Sequence, residues 1–439
     1  MFTRIHVQNF KCFSDLDIDL THRGGQPKHL VMIYGENGAG KSNIAAIFHA
    51  LMELLHTMDI KELYQFIMDR AVAEKDMDLI QAIKSTVRDV PAIVRDFQMI
   101  GAEGNIVLEF AFSLDGRSGS YCIELSQDEV VHERLEYVLE KRRAVYFDIR
   151  SNKGSVKESI FRSGEFFQDV TTELKKYWGK HPFLSIIFHE MESKSKKYVE
   201  DSISENFRLV LDFFASVNGA VKRGNESRPF SRSFTFEFFD LNSGQISTNA
   251  AETQLQQAEK LVRAFFTAIN SDIQDVYYKL TPHQDNSSTY QLYFKKMICG
   301  KVRDISFQQE STGNAEMLAF LSNLLFAASG GVEILDEMDS GIHDIAAQKI
   351  LKELFPVLQG QLIITTHNTL LMDCDFAKEA TYILKEDESA NRFLECVADG
   401  DERIYQKTNI RKKYLDGDFE GVPKVGSLNF AEMIQYLPK

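Results

Sequence analysis

The segment Gly35–Ser42, GENGAGKS, constrains the fold more than any other part of the chain. It fits the pattern G-x-x-x-x-G-K-[ST]. An apolar run, HLVMIY, precedes it, and apolar residues recur at spacings of three and four after it. Glycines let successive backbone N–H groups point into one concavity, and a following helix adds the positive end of its dipole. The sequence therefore predicts a buried strand, a phosphate-binding loop and a helix in succession.

The loop assigns a role to each of its residues. Lys41 is expected to reach the β and γ phosphates of ATP and to take part in catalysis, and the hydroxyl of Ser42 is expected to bind Mg²⁺. The predicted nucleotide-binding residues are Gly35, Glu36, Asn37, Gly38, Ala39, Gly40, Lys41, Ser42 and Asn43.

Two later apolar runs end in residues that suit the same site. The run GVEILDE ends in Asp336, a predicted Mg²⁺ ligand, and Glu337, a predicted general base for the attacking water. The run QLIITTH ends in His367, whose neutral imidazole could hydrogen-bond a γ-phosphate and so serve catalysis. Either ending alone is ordinary for a strand. Their order after the phosphate loop favours one shared site.

The stretch FQQESTGNAEML places Ser311 and Gly313 before a predicted helix. By itself it is a helix-start turn. A second interpretation makes it part of an ATP site, and the same serine can do both.

Composition limits the function classes. The chain has 439 residues, 44% of them hydrophobic and 26% charged, which is typical of a folded protein. The net charge of −14 and short, scattered basic clusters make a uniformly basic nucleic-acid binder improbable. Five widely spaced cysteines without a CxxC pair indicate neither a zinc site nor a disulfide framework. The N-terminus alternates like a strand, and no apolar run is long enough for a membrane span, so we expect a cytoplasmic protein without membrane contact.

Periodicity gives a coarse secondary structure. Residues 1–34 and 105–150 are predicted strands, with a hairpin turn at Asp115-Gly116. Residues 60–98 and 165–275 are predicted to be mainly helical, with apolar faces on Tyr198–Val217 and Glu252–Ile269 and an exposed loop at 224–227 between them. From residue 289, strands alternate with helices, and the uniformly apolar strands predict a parallel sheet covered on both sides.

The order of these motifs resembles the ABC-type ATPase head, most closely the stand-alone RecF/SMC/OLD-like branch. The runs that carry the resemblance are VQNFKCF, GENGAGKSN, ESTGN, DEMDSGIH, TTHNTLLMD and NIRKKYLDGDFEGVP. It covers residues 1–55, 105–150 and most of 289–425.

The resemblance implies an α/β ABC-type P-loop ATPase head, a mixed sheet flanked by helices, with a large and mainly helical insertion. The expected units are an N-lobe with the P-loop (1–55), a helical insertion (56–104), the β-subdomain strands (105–150), a mainly helical insertion (151–280), a C-lobe with signature, Walker B and switch histidine (281–400), and a C-terminal tail (401–439).

The resemblance also implies a function. ABC heads bind ATP and Mg²⁺ between two protomers, so Ser311, Gly313 and Asn314 would act in trans as the signature, and Asp339 would form the D-loop. The chain would be an ATPase and a homo-oligomer, an ABC-type dimer or higher. It is similar to AriA-type ATPase subunits of PARIS anti-phage (abortive infection) systems, and also to Septu-type ATPases. Such a subunit is a sensor and scaffold that controls a separate effector nuclease, AriB-like and of Toprim type, in response to a phage-encoded trigger protein.

Three departures from the family pattern stand out. The signature usually begins Leu-Ser-Gly-Gly, whereas here Glu310 precedes Ser311. Asp344 follows His343 where relatives often have proline. A Q-loop glutamine is not identifiable.

Other functions fit the sequence less well. Asp416 and Asp418 lie too near the C-terminus for a Toprim domain of roughly 100 residues, so no intrinsic nuclease is expected. A RecF/SMC-like ATPase that acts on DNA in repair or recombination remains the alternative, with DNA a less favoured partner. The long stretch between Ser42 and Ser311 disfavours a transporter ATPase, whose helical insert is compact.

Overall fold

The computed structural model describes residues 1–58, 88–150, 153–223, 226–229, 240–246, 249–283, 287–400, 408–422, 426 and 428–436. Much of the predicted helical stretch 60–98 lies outside these residues. In the described part of the chain, no helix is both long and apolar enough to cross a bilayer.

The strands are β1 (Phe2–Phe10), β2 (Phe13–Asp19), β3 (Leu30–Tyr34), β4 (Ile106–Leu114), β5 (Arg117–Leu125), β6 (Val130–Leu139), β7 (Arg142–Arg150), β8 (Lys153–Val156), β9 (Val217–Arg223), β10 (Glu226–Pro229), β11 (Ser243–Ile246), β12 (Ile273–Pro282), β13 (Ser288–Ile298), β14 (Lys301–Ser306), β15 (Val332–Leu335), β16 (Gln361–Thr365), β17 (Thr381–Glu386) and β18 (Arg392–Cys396).

The helices are α1 (Lys41–Leu55), α2 (Val90–Phe97), α3 (Gly164–Tyr177), α4 (Phe183–Glu192), α5 (Lys196–Ser202), α6 (Glu205–Ala215), α7 (Asn249–Ile269), α8 (Thr312–Ala328), α9 (Asp344–Leu354), α10 (Ala377–Ala380), α11 (Ile410–Asp416) and α12 (Phe430–Met433).

The first sheet is antiparallel, in the order β2-β1-β4-β5-β6-β7-β8. The predicted strands of residues 105–150 are confirmed. Asp115 and Gly116 join β4 to β5 with φ values of 50° and 71°, as a two-residue hairpin turn requires.

The second sheet has the order β10-β9-β15-β16-β3-β17-β18. Its five inner strands, β9, β15, β16, β3 and β17, are parallel, so the predicted parallel sheet is confirmed. The strand that ends near His367 lies between the strands that precede the phosphate loop and the Asp-Glu pair. Because the carboxyl ends of parallel strands share one edge, all three motifs meet there.

Side chains of β3 alternate between two hydrophobic cores, which explains why every residue of the strand is apolar. Val31 and Ile33 join a core with the first sheet and α1. Met32 and Tyr34 join a second core with α7, α8 and a third sheet, in which β13 pairs with β11, β12 and β14. The P-loop therefore begins from a strand that is fixed on both faces.

The interval 151–280, predicted to be a mainly helical insertion, also contains the strands β8, β9, β10 and β11 and most of β12. Residues Val217–Arg223 form β9, which pairs with β15 in the parallel sheet. The predicted single helix Tyr198–Val217 is also wrong: it is two helices, α5 and α6. Ser204 separates them because its side chain accepts a hydrogen bond from the Phe207 N–H and caps α6.

The long helix predicted at Glu252–Ile269 is present as α7. Of the predicted loop 224–227, residues 226 and 227 belong to β10, which pairs back on β9, and residues 224 and 225 lie outside the described residues.

Candidate nucleotide site

The phosphate loop connects β3 to α1, as predicted. Gly38 and Gly40 have φ values of 80° and 112°, a left-handed backbone that favours glycine. Packing also requires glycine at position 40, because a Cβ there would lie 2.6 Å from Cys12 Sγ. Asn43 Nδ2 donates to the same sulfur at 3.0 Å. The amide of Asn43 thus serves packing in this structure, and its contact with nucleotide stays a prediction.

Lys41 is only 7% exposed, and its amine lies inside the loop. Nζ donates to the carbonyl oxygens of Gly35 at 2.8 Å and Glu36 at 2.9 Å. Burial lowers the pKa of Lys41. Three carboxylates that follow β15 act in the opposite direction: Asp336, Glu337 and Asp339. The lysine and the acidic segment, far apart in sequence, are therefore electrostatic neighbours.

Thr365, the last residue of β16, connects the two acidic residues. Its hydroxyl donates to Asp336 Oδ1 at 2.6 Å and accepts the N–H of Glu337 at 2.8 Å. Glu337 has a φ of 50°, a left-handed conformation that costs a non-glycine residue free energy and often marks a functional constraint. One buried hydroxyl therefore helps to hold both the predicted metal ligand and the backbone of the predicted base.

His367 lies at the same edge of the sheet. Its backbone N–H donates to Asp339 Oδ2 at 3.2 Å, which connects the end of this strand to the D-loop residue. Burial, followed by the nearby charge of Lys41, lowers the pKa of His367, although three carboxylates act against this. The environment favours the neutral imidazole on which the proposed phosphate contact depends.

The turn after His367 rests on Asn368, which sequence reasoning missed. Asn368 is 1% exposed, its Nδ2 donates to the Asp344 carbonyl at 3.0 Å, and its own carbonyl accepts from Tyr34 Oη at 3.0 Å. The contact uses the main chain of Asp344, which explains how an aspartate can occupy this position instead of proline.

The signature residues begin α8. Ser311 Oγ accepts from the Asn314 N–H at 3.4 Å, so the expected helix cap is present. Glu310, the unusual first residue, has a side chain that is only 3% exposed. It accepts from Asn314 Nδ2 at 2.6 Å and pairs with Lys296 Nζ at 2.8 Å. The charge that departs from the family pattern is thus neutralised and braces the turn.

The signature also lies beside the D-loop of its own chain, since a Cβ on Gly313 would be 3.6 Å from the Gly341 carbonyl oxygen. The structure brings the P-loop, Asp336, Glu337, Asp339 and His367 together. The role of Ser311, Gly313 and Asn314 in trans stays a prediction.

The donor set suits Mg²⁺. The predicted ligands are the Ser42 hydroxyl, at the first turn of α1, and the Asp336 carboxylate, both hard oxygen donors of the kind that Mg²⁺ prefers. Asp336 is 5% exposed, and Thr365 orients it through Oδ1. Such a buried and oriented carboxylate fits an outer or inner ligand of a magnesium nucleotide.

Residues 30–373 match the family described as "AAA domain, putative AbiEii toxin, Type IV TA system". The chain belongs to this family. The match runs from β3 to the turn after His367 and so includes every predicted site residue. Together with the strand order, it makes the fold an α/β ABC-type P-loop ATPase, which confirms the predicted fold class. No curated protein matches the chain significantly.

Solved structures similar to this chain include two SMC heads. The SMC head domain from Thermotoga maritima has 13% identity and a TM-score of 0.38, covering 90% of this chain and 98% of that one. The Smc head domain with an extended coiled coil, bound to the C-terminal domain of ScpA and derived from Pyrococcus furiosus, has 12% identity and a TM-score of 0.41, covering 90% and 95%.

A third similar structure is that of "the recombination mediator protein RecF-ATPrS in RecFOR pathway". It has 11% identity and a TM-score of 0.35, covering 90% of this chain and 97% of that one.

Proposed function

We propose that the chain is an ATP-hydrolysing ABC-type subunit that works as a homodimer, or as a larger assembly of such dimers. The observation that carries the proposal is the convergence of Lys41, the Asp336-Glu337 pair and His367 at one edge of a parallel sheet. Each motif alone is compatible with a structural role. Their electrostatic coupling and the hydroxyl bridge of Thr365 support a single site.

The chain's own groups divide the work. The amine of Lys41 exchanges its bonds to the loop carbonyls for bonds to the phosphate oxygens of ATP. Ser42 and Asp336 would hold Mg²⁺, which would supply charge neutralisation for the phosphates of ATP. Glu337 accepts a proton from the attacking water, and neutral His367 donates a hydrogen bond to the γ-phosphate.

Two copies are needed in this proposal because the signature completes the site. The N-terminus of α8, with the Ser311 hydroxyl and the Gly313 N–H, suits an anionic γ-phosphate held by another copy. The N-cap bond to Asn314 keeps the Ser311 side chain at the helix end, where a second copy can reach it.

We further propose a biological role in anti-phage defence. The family description names a toxin and a toxin–antitoxin system, and the acidic charge of −14 suits a protein partner better than bare DNA. In this role the chain is a sensor and scaffold, similar to the AriA-type subunits of PARIS. ATP-dependent assembly restrains a separate effector nuclease until a phage protein triggers its release.

A complementation experiment tests the composite site. Lys41→Ala removes the phosphate-binding lysine of the P-loop, and Ser311→Asp impairs the function of the signature. Aspartate still caps a helix, so the fold of α8 is kept while a negative charge faces the partner's phosphate. Ser311→Asn is the matched neutral control. Each inactive variant alone should hydrolyse no ATP, and a 1:1 mixture should recover about a quarter of wild-type activity, because half of the dimers then carry one intact site. Mixtures as inactive as the single variants would refute the site in trans.

Glu337→Gln should trap an ATP-bound dimer, measured as particle mass with and without ATP. Unchanged turnover in this variant would remove Glu337 as the base.

The defence role has its own test. Cells that carry the chain together with its genomic neighbours should resist phage, and Lys41→Ala should abolish resistance. Resistance that survives Lys41→Ala contradicts the role. DNA binding with a steep salt dependence would instead support the repair function.

A further inference from the structure

The C-terminal segment Leu428–Tyr436 presents an apolar face to solvent. It contains α12 and the turn of 3-10 helix that follows it. Its large apolar side chains are between 47% and 79% exposed: Leu428, Phe430, Met433, Ile434 and Tyr436. The spacing of Phe430, Met433 and Ile434 places them on one side of a helix. Such a face is typical of a segment that docks in a groove.

A groove of matching character lies elsewhere on the same chain. The three helices α7, α8 and α9 line an open groove of about 770 Å³. Its walls are apolar and include Phe265, Ile269, Leu321, Leu325, Ile350 and Leu354. Ile345 at its edge is 50% exposed, and Lys349 and Glu353 supply charge there. An apolar opening of this size among signature-bearing helices suits a short amphipathic helix.

The C-terminal segment departs from the folded body of the chain at Gly421, beside the P-loop. Tyr414 Oη donates to the Gly421 carbonyl at 3.0 Å. Gly421 has a φ of 66°, and a Cβ there would lie 2.6 Å from Ile383 Cγ2 and 3.6 Å from Gly35 Cα. This close fit fixes the exit point at the entrance of the nucleotide site.

The groove is formed by the helices that carry the trans-acting motifs. The helix α8 begins at the signature, and α9 begins directly after the D-loop segment. In the dimer proposed above, the P-loop of one copy faces the signature of the other. The exit point of one copy therefore faces the N-terminal ends of α8 and α9 in its partner.

The lengths agree with this placement. The eight Cα-to-Cα steps from Val422 to Phe430 span up to about 27 Å when extended. The groove starts near Leu321, about 15 Å along α8 from Ser311. The linker is long enough to cross the ATP interface and reach the groove.

We propose that Leu428–Tyr436 of one copy docks in the α7–α8–α9 groove of a second copy and clasps the ATP-bound dimer. This inference rests on the proposed ABC-type dimer. This docking adds a second, apolar interface to a dimer that is otherwise held together through ATP. It also places the C-terminal segment of one copy on the helices that follow the signature and the D-loop of the other.

Site-specific cross-linking tests the clasp in the full-length chain. The background is Glu337→Gln with ATP, with Cys299→Ser to remove the exposed cysteine. One copy carries Met433→Cys and a second, differently tagged copy carries Ile350→Cys. With a mild added oxidant such as copper phenanthroline, we expect an ATP-dependent disulfide between the two engineered cysteines, which joins the two differently tagged copies. The control pairs Met433→Cys with Val302→Cys, since Val302 is 52% exposed and lies on β14, outside the groove.

A second measurement uses the double variant Phe430→Glu, Ile434→Glu. Both side chains are exposed in the single chain, so the fold should be unaffected. The ATP-bound dimer of this variant should dissociate on the order of a hundred-fold more readily, because interface anchors are replaced by charges.

The outcomes separate the two proposals. If the parent forms an ATP-bound dimer without a cross-link between the tags, or if a single chain with both cysteines links within itself, the clasp is overturned and the dimer stands. If the Phe430→Glu, Ile434→Glu variant dimerises with the same affinity as its parent, the clasp is likewise overturned and the dimer stands. If ATP never produces a dimer in the parent, the proposed function fails and the clasp fails with it.

Discussion

Two buried threonines in the strands that flank β3 give a sharp test of the site. Thr365 at the end of β16 is 1% exposed, and Thr381 at the start of β17 is 0% exposed. The Thr365 hydroxyl joins the Asp336 carboxylate to the Glu337 N–H. Among the described residues, the Thr381 hydroxyl has no hydrogen-bond partner. Replacing each with valine keeps shape and β-branching and removes only the hydroxyl.

The two substitutions should have opposite effects on stability. In Thr365→Val the loss of the hydrogen bond to the Asp336 carboxylate and of the hydroxyl that accepts the Glu337 N–H together cost about 2 to 3 kcal/mol. For the Glu337 amide we use the lower part of the usual free-energy range for a lost hydrogen bond, since Glu337 is exposed to water. In Thr381→Val an unsatisfied buried hydroxyl disappears, so we expect a gain of about 1 kcal/mol.

Catalysis should distinguish the variants as well. Thr365→Val removes the hydrogen bonds that orient the Asp336 carboxylate and the strained backbone of Glu337, so kcat should fall by at least about ten-fold with little change in KM. Thr381→Val should leave both constants unchanged. The assays are urea denaturation followed by circular dichroism and steady-state phosphate release. Equal stability and equal kcat in the two variants would refute the bridging role of Thr365.

Three further predictions concern charged groups. Burial raises the pKa of Glu133 from 4.5 to about 7, although the Phe183 N–H donates to it. The folded state therefore holds a proton that the unfolded state releases. The resulting contribution to the free energy of unfolding is complete below pH 4.5 and is lost as pH rises through about 7, a change of about 3 kcal/mol. Denaturation experiments on Glu133→Gln should not show this pH dependence. Glu310→Ala removes the ion pair with Lys296 and should lower dimer-dependent ATP hydrolysis on the order of ten-fold, with unchanged binding of a fluorescent ATP analogue by the monomer. Because the pKa of His367 is lowered below 6.5, the acid limb of kcat/KM should lie below pH 6.5 and should be absent in His367→Gln.

The sequence predicted the main parts of the site because each is a local pattern with a fixed order along the chain. The P-loop, the Asp336-Glu337 pair and His367 all follow apolar strands, and parallel strands bring their ends together. Thr365 could not be recognised in this way. It is one of two threonines in an apolar run, and its role depends on which way its side chain points toward a neighbouring strand.

The missed strand β9 has a related cause. Its sequence VNGAVKR contains a glycine, an asparagine and two charges, and neither period is visible in it. The structure pairs it with β15, where Asn218 Nδ2 donates at 2.8 Å to Glu333 Oε2. Glu333 is fully buried, and burial raises its pKa. Each polar residue interrupts the apolar pattern of its own strand, and only the pairing between strands explains both.

The position of β3 between β16 and β17 determines when during synthesis the ATP site can form. The first sheet is complete once residue 156 has been made, because all of its strands lie in the N-terminal part of the chain. The strand β3 is synthesised early, but both of its neighbours start at or after Gln361. At ribosomal speeds of about 5 to 20 residues per second, β3 waits roughly 15 to 65 seconds for a hydrogen-bonded neighbour. A nascent chain that stops before Gln361 lacks both hydrogen-bonded neighbours of β3, so we expect the nucleotide site to form only in the nearly finished polypeptide.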